Sequence, residues 1–279
     1  MAYIIQDTTL SRIAEAIRAK NGTTDKIKVS DMAATIEAIK AGGDDKSAAI
    51  IDRSITEYSN GSIETIGGYA FYNCSSLLSV DMPAATSIDD NAFNYCTSLT
   101  TVDLPSATSI GSNAFDGCNS LTTIDLPAAT SIGANAFEMC DKLTTVDFPK
   151  ATSIWYSAFN SCYSLTTVNL PAATLIGSQC FSSCYKLITV DLPAATNIGS
   201  YAFNGCSALK ALIIRTEQVC SLDSGLGRGT DSCYIYVPRA LVNDYKAATN
   251  WAQYADKFRA LEDYTVDGTT TGELDTTKI

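Results

Sequence analysis

The stretch Val102-Asp-Leu-Pro-Ser-Ala-Thr-Ser-Ile110-Gly-Ser-Asn-Ala-Phe115-Asp-Gly-Cys118-Asn-Ser-Leu121 recurs, with small changes, seven times between residues 66 and 214. Its phenylalanines fall at 71, 93, 115, 137, 159, 181 and 203, always 22 residues apart. Cysteines keep the same step from Cys74 to Cys206, leucines from Leu77 to Leu209, and isoleucines from Ile66 to Ile198. No insertion breaks the register. A fixed period of this length predicts a solenoid, in which each coil covers the apolar edge of its neighbour.

Within one unit, Leu99-Thr-Thr-Val102-Asp-Leu104 predicts a short strand that buries alternate side chains over its second half. Pro105 cannot donate a ladder hydrogen bond and ends that strand. Ala107-Thr-Ser-Ile-Gly111 predicts a second extended piece with Ile110 inward. The spacing of Ala114-Phe-x-x-Cys118-x-x-Leu121 suits one tight helical or 3₁₀ turn. At about 4.8 Å per coil, seven coils would extend roughly 34 Å. Ladders of Ile, Phe, Cys, Leu and Val would run through the interior.

These motifs resemble the BspA-like leucine-rich repeats of gut bacteria and their phages, over roughly residues 50 to 214. The resemblance implies an α/β-type leucine-rich-repeat solenoid of parallel short strands joined by helical or 3₁₀ turns. It also implies adhesion by a surface or virion protein, without naming a ligand.

Composition narrows the function. Nineteen basic against 30 acidic residues give a net charge of −11. That argues against nucleic acid, whose phosphates need a positive footprint, and against anionic lipid. Histidine is absent, which removes the usual general base and the commonest transition-metal ligand. Of the ten cysteines, seven form the repeat column, where a free thiol behaves as a small buried hydrophobe. Cys180 takes a column alanine's place, as at Ala158 and Ala202, and is expected in the core. Cys220 and Cys233, flanking a glycine-rich loop, are expected to be the two free to pair. The cysteine spacing is that of a repeat rather than a chelate, so neither a metal nor a cofactor is expected. The opening Met1-Ala-Tyr-Ile-Ile-Gln-Asp7 lacks the features of a signal peptide, and no stretch reaches transmembrane length, so no membrane insertion is expected.

Around the repeats the chain divides into residues 1–43, 44–65, 66–214, 215–264 and 265–279. In the first module Thr8 or Thr9 caps a helix with Leu10, Ile13, Ala14 and Ile17 on one face, stopped by Asn21-Gly22. Ser30 caps a second helix carrying Met32, Ile36 and Ile39, ended by Gly42-Gly43. The wording Thr8-Thr-Leu-x-x-Ile-Ala-x-Ala-Ile-Arg-x-Lys-x-Gly22, followed by Val29-x-Asp-Met-Ala-x-x-Ile36, resembles an N-terminal segment of tail-associated phage and prophage proteins of gut Firmicutes. It implies attachment to other virion tail proteins; a lid over the first coil is the alternative. Residues 44–65 combine a polar linker with a degenerate first repeat, in which Ile55 and Tyr58 precede Leu77 and Val80 by one period. Residues 215–264 read as a C-terminal cap. Tyr234–Val237 is a strand, and Pro238 opens a helix carrying Leu241, Val242 and Tyr245. Trp251, Tyr254, Phe258 and Leu261 continue that apolar pattern. Residues 265–279 form a polar, threonine-rich tail.

Two sets of outward residues could bind. Asp81, Asp103, Asp125, Asp147 and Asp191 form an acidic stripe beside a threonine column; it reads as a calcium or cation stripe or as a solvated face. The second set departs from the repeat: Trp155 where five of the seven copies have glycine, Tyr156 beside it, and Tyr163 and Tyr185 in one column of adjacent coils. Aromatics on a Ser/Asn-rich surface suit sugar stacking and protein hot spots. No nucleophile motif, phosphate loop or dinucleotide fingerprint is present, so no catalytic residue is expected. The sequence therefore predicts a non-enzymatic binding protein. It would be a phage or prophage tail protein recognising a host-surface protein or glycan, or else a cell-surface adhesin. A carbohydrate-active enzyme is the remote alternative.

Overall fold

The structure, a computed structural model, describes residues 53–263. The helical module expected over 1–43 and the tail expected over 265–279 lie outside them. The described chain is a parallel β-solenoid of about nine turns. Each coil contributes one longer strand, such as Thr101–Asp103, and one two-residue strand, such as Ser109–Ile110. The two-residue strands form one continuous eight-stranded parallel sheet from Thr65–Ile66 to Ser221–Leu222. The longer strands stack as three parallel sheets of three, three and four strands. Pairing follows the sequence period: Tyr58 faces Val80, and Val80 faces Val102.

The interior is built from the repeat columns. Six consecutive Phe–Phe contacts, from Phe71 to Phe203, have ring centroids 5.0–5.7 Å apart and planes within 11° of parallel. Such offset-stacked rings add to the burial term, itself about 2–3 kcal/mol per fully buried side chain. The threonine two residues before each inward isoleucine from Ile88 to Ile198 forms a second ladder. Thr108 donates both its N–H (2.8 Å) and its hydroxyl (3.0 Å) to the carbonyl of Thr86, and Thr130 repeats this on Thr108. A threonine here therefore satisfies its hydroxyl without solvent.

The segment after each isoleucine differs from expectation: it is neither helical nor 3₁₀. In the first coil Ala70, Tyr72 and Cys74 donate to the carbonyls of Gly67, Tyr69 and Phe71, which makes three overlapping β-turns. The intervening N–H groups of Tyr69, Phe71 and Asn73 donate instead to Asp90, Ala92 and Asn94 of the next coil. A helix would consume those donors internally and leave the coils unjoined on this side. Tyr69 and Asn73 take left-handed φ values of 62° and 55° to turn their N–H groups along the axis. The fold thus has much less helix than the α/β label implied. Among the described residues the α-helix is confined to Val242–Ala247, with 3₁₀ turns at Arg239–Leu241, Ala252–Tyr254 and Leu261–Asp263.

The C-terminal end also corrects an expectation. Phe258 does not extend the helical pattern; Phe258–Ala260 is a strand paired in parallel with Tyr234–Val237. Tyr245, Trp251 and Phe258 pack together, with ring centroids 5.4–5.9 Å apart. The Tyr245 hydroxyl accepts the Cys220 N–H at 2.8 Å, and the Trp251 indole donates to the Cys220 carbonyl at 2.6 Å. This clamp buries Cys220, and Cys233 is buried as well. All ten cysteines are free thiols in the core, so the expectation that Cys220 and Cys233 stand free to pair is not met.

Candidate functional site

The turn segments project the departures from the repeat. Trp155 follows the two-residue strand Ser153–Ile154, and its N–H donates to the Ile132 carbonyl one coil back. Its side chain is half exposed. The column it occupies is otherwise nearly closed to side chains. A Cβ added at Gly133, Gly177 or Gly199 would lie 2.3–2.6 Å from backbone atoms of the preceding coil. Only Asp89 and Trp155 carry a side chain there, so the coil carrying Trp155 must ease its backbone apart from the coil before it.

Tyr156, also half exposed, donates its hydroxyl to Gln179 Oε1 at 2.8 Å, one coil on. Sequence reasoning did not single out Gln179, which fixes the Tyr156 ring. Tyr163 and Tyr185 stack at 5.4 Å with planes 3° apart, as a column in adjacent coils requires. The structure thus unites Tyr163 with Tyr185, and Tyr156 with Gln179. Among the described residues no ring contact joins Trp155 to the tyrosine pair; they stand at opposite ends of the turn run that begins at Trp155.

The acidic stripe is less uniform than its sequence. Asp191 is held by Arg215 through a bidentate pair of 3.0 and 2.7 Å, Asp147 accepts the Asn169 amide at 2.8 Å, and Asp81 accepts the Ser59 hydroxyl at 3.2 Å. Asp103 and Asp125 are exposed, and the strands carrying them belong to different sheets. Among the described residues no group of three or more His, Cys, Asp or Glu could hold a metal ion.

A further polar column went unnoticed in the sequence. The residue after each core phenylalanine is Tyr72, Asn94, Asp116, Glu138, Asn160, Ser182 or Asn204. Asn94 donates to Asp116 Oδ2 at 2.9 Å, and Asn160 donates to Glu138 Oε1 at 2.7 Å. Asp116 is buried, its Oδ1 has no hydrogen-bond partner, and desolvation pushes its carboxyl up to about 6. An acid one step from a buried column was the available signal.

Residues 53–157 and 130–225 match the family described as BspA type leucine rich repeat region, in six copies. The chain belongs to that family. Among solved structures, this BspA-type chain is similar to a leucine-rich repeat protein from Bacteroides ovatus, at 18% identity over 75% of this chain and 84% of that one, with a TM-score of 0.37. A leucine rich cell surface protein from Faecalibacterium prausnitzii is 24% identical over 66% of this chain and 60% of that one, with a TM-score of 0.45. A leucine rich repeat protein of T. pallidum is 24% identical over 48% and 72%, with a TM-score of 0.37. No curated protein matches the BspA-type chain in sequence. Among the described residues no helix is long and apolar enough to cross a membrane.

Proposed function

We propose that this BspA-type solenoid is a non-enzymatic binding protein that presents Trp155, Tyr156, Tyr163 and Tyr185 to a protein or glycan on a cell surface. The observation that carries the reading is Trp155: a large aromatic, half exposed, in a column where a Cβ crowds the backbone of the preceding coil. On balance packing gains little from it, because that crowding offsets the buried half of the indole, whereas exposed aromatics are what sugar faces and protein hot spots engage. The stacked Tyr163–Tyr185 pair adds a flat, low-entropy ledge. Membership of the BspA-type family supports adhesion, and the wording of residues 8–36 supports carriage on a phage or prophage tail. The cell-surface adhesin remains the second reading, favoured by the family alone.

The test is a glycan array with pull-down on host cells, run on the chain and on the double variant Trp155→Ala/Tyr185→Ala. Loss of a hot-spot aromatic costs about 2 kcal/mol or more, so attachment should weaken at least about tenfold with the fold intact. Undiminished attachment would move the site elsewhere. Immunolabelling of purified virions against fractionated cells separates tail protein from adhesin.

A further inference from the structure

A second surface, on earlier coils, carries a different chemistry and does not depend on the Trp155 reading. Asp116 is 92% buried, the complement of its 8% exposure, and its Oδ1 accepts no hydrogen bond. Glu138 lies one coil further along the same column and is half-buried. Neither carboxylate pairs with a lysine or arginine among the described residues, whose three ion pairs all lie elsewhere. A buried carboxylate without a counter-charge or a second donor is costly, and such costs are met by a partner or by protonation.

The surroundings name that partner's chemistry. The Tyr95 ring lies over Gly117, where a Cβ would come within 2.7 Å of Tyr95 Cδ1, and so covers the residue next to Asp116. Tyr95 is 42% exposed while Asp116 Oδ1 is closed to solvent, so a partner would reach that oxygen only as the Tyr95 ring turns aside. The Asp116 charge, burial, Tyr72 and Glu138 all raise the Tyr95 hydroxyl above its ordinary value. Tyr72 already receives a cation: the Arg53 guanidinium stands 5.8 Å from its ring centroid. Acceptors, negative charge and aromatic faces are present together; Asn94 and Asn160 each donate to one carboxylate, and among the described residues no lysine or arginine pairs with either.

We propose that Tyr95, Asp116 and Glu138 form a site for a cationic side chain, lysine or arginine, presented by a partner protein. The ammonium or guanidinium would donate to Asp116 Oδ1 and to the free Glu138 oxygen while resting against the Tyr95 face, combining charge-assisted bonds with a cation–π contact. An isolated metal ion fits less well, because two carboxylates on adjacent coils supply too few oxygens and the aromatic face supplies none.

The test uses the full chain, with tetralysine and tetra-arginine peptides as probes and calorimetry near physiological salt, where a long-range pull from the net charge is screened within about 8 Å. Asp116→Asn/Glu138→Gln should weaken peptide binding about tenfold or more, as loss of charge-assisted bonds does. Tyr95→Ser, a residue the same column already holds at Ser161 and Ser183, should weaken it several-fold and covers the case in which the double variant misfolds. Asp103→Asn/Asp125→Asn removes the same charge from the strand face and should leave binding unchanged. Equal loss in that control, or full binding by Tyr95→Ser and the double variant, overturns the proposal. Displacement of the peptides by calcium chloride at equal concentration also overturns it, in favour of an inorganic cation.

Discussion

The Cys162 thiol lies 3.2 Å from the carbonyl oxygen of Phe137, one coil back, and that same carbonyl accepts the Cys140 N–H at 3.3 Å. The relationship repeats from Cys96 on Phe71 to Cys206 on Phe181. It explains why the column holds cysteine. The position needs a small apolar side chain that can also donate, weakly, to the second lone pair of a buried carbonyl. Cys162→Ala should cost about 1–2 kcal/mol, the ordinary range for a small core truncation, read as a shift in denaturation midpoint.

Burial also sets the reactivity of these thiols. Desolvation pushes Cys206, Cys220 and Cys233 up to about 12 and raises Cys96, Cys140, Cys180 and Cys184 as well. A maleimide should therefore leave all ten cysteines unmodified in the native protein, Cys220 and Cys233 included, and label them only on unfolding. Mass spectrometry of the native reaction checks this; rapid labelling of Cys118 would put the column on the outside.

Phe137 packs between Phe115 and Phe159 at 5.2 and 5.3 Å and is fully buried. Phe137→Ala should cost about 3–5 kcal/mol. Because stability passes only between nearest neighbours in a solenoid, hydrogen exchange should rise first in the flanking coils. An unchanged melting temperature would contradict the buried ladder.

How much of this was legible follows from what the period can encode. A column fixed every 22 residues must find the same surroundings in each coil, so Ile110, Phe115, Cys118 and Leu121 declare themselves inward from sequence alone. The stacking of Tyr163 on Tyr185 follows by the same logic. The turn run was not legible, because its left-handed positions are held by Tyr69, Ser157 and Gln179 as readily as by asparagine or glycine. Those residues accept the conformation so that their N–H groups can reach the next coil, a tertiary gain that local propensity does not register. Phe258 misled for a related reason: its spacing from Trp251 and Tyr254 fits a helix, yet its backbone pairs with the strand Tyr234–Val237. Cys220 read as accessible beside a glycine-rich loop, and only the Tyr245–Trp251 clamp makes it core.

Asp116 predicts a pH dependence with a definite sign. Desolvation raises its carboxyl from 3.8 to about 6, the Asn94 hydrogen bond pulls the other way, and Glu138 adds to the rise. The folded state therefore holds a proton that the unfolded state has released between those values. The contribution of this group to stability is fully present below about pH 4 and is lost as pH rises through about 6. At about 1.4 kcal/mol per pKa unit the swing is at most about 3 kcal/mol. Melting temperatures of the chain and of Asp116→Asn, compared from pH 4 to 7, should converge or cross as the wild type gains on acidification. A constant difference would mean that the carboxyl titrates normally.

The last prediction separates a packing role for Trp155 from a recognition role. Gly177 sits against the coil of Trp155 so closely that an added Cβ would lie 2.4 Å from the Trp155 carbonyl carbon, and Gly133 and Gly199 are equally confined. Those contacts are with backbone, which cannot rotate away, so Gly177→Ala should cost more than about 2 kcal/mol. Trp155→Gly restores the residue its neighbours in the column carry. It loses the buried half of an indole and adds the entropy cost of glycine, about 0.5–1 kcal/mol, but relieves the crowding against the Gly133 coil. The two sides nearly cancel, and the melting midpoint should correspond to a change of less than about 1 kcal/mol, as for an ordinary surface substitution. A Trp155 kept for packing would instead cost about 3–5 kcal/mol on removal. Unfolding curves of the two glycine-column variants, measured beside cell attachment, decide the matter: stability retained with attachment lost assigns the tryptophan to recognition, and stability lost in step with attachment assigns it to the rod.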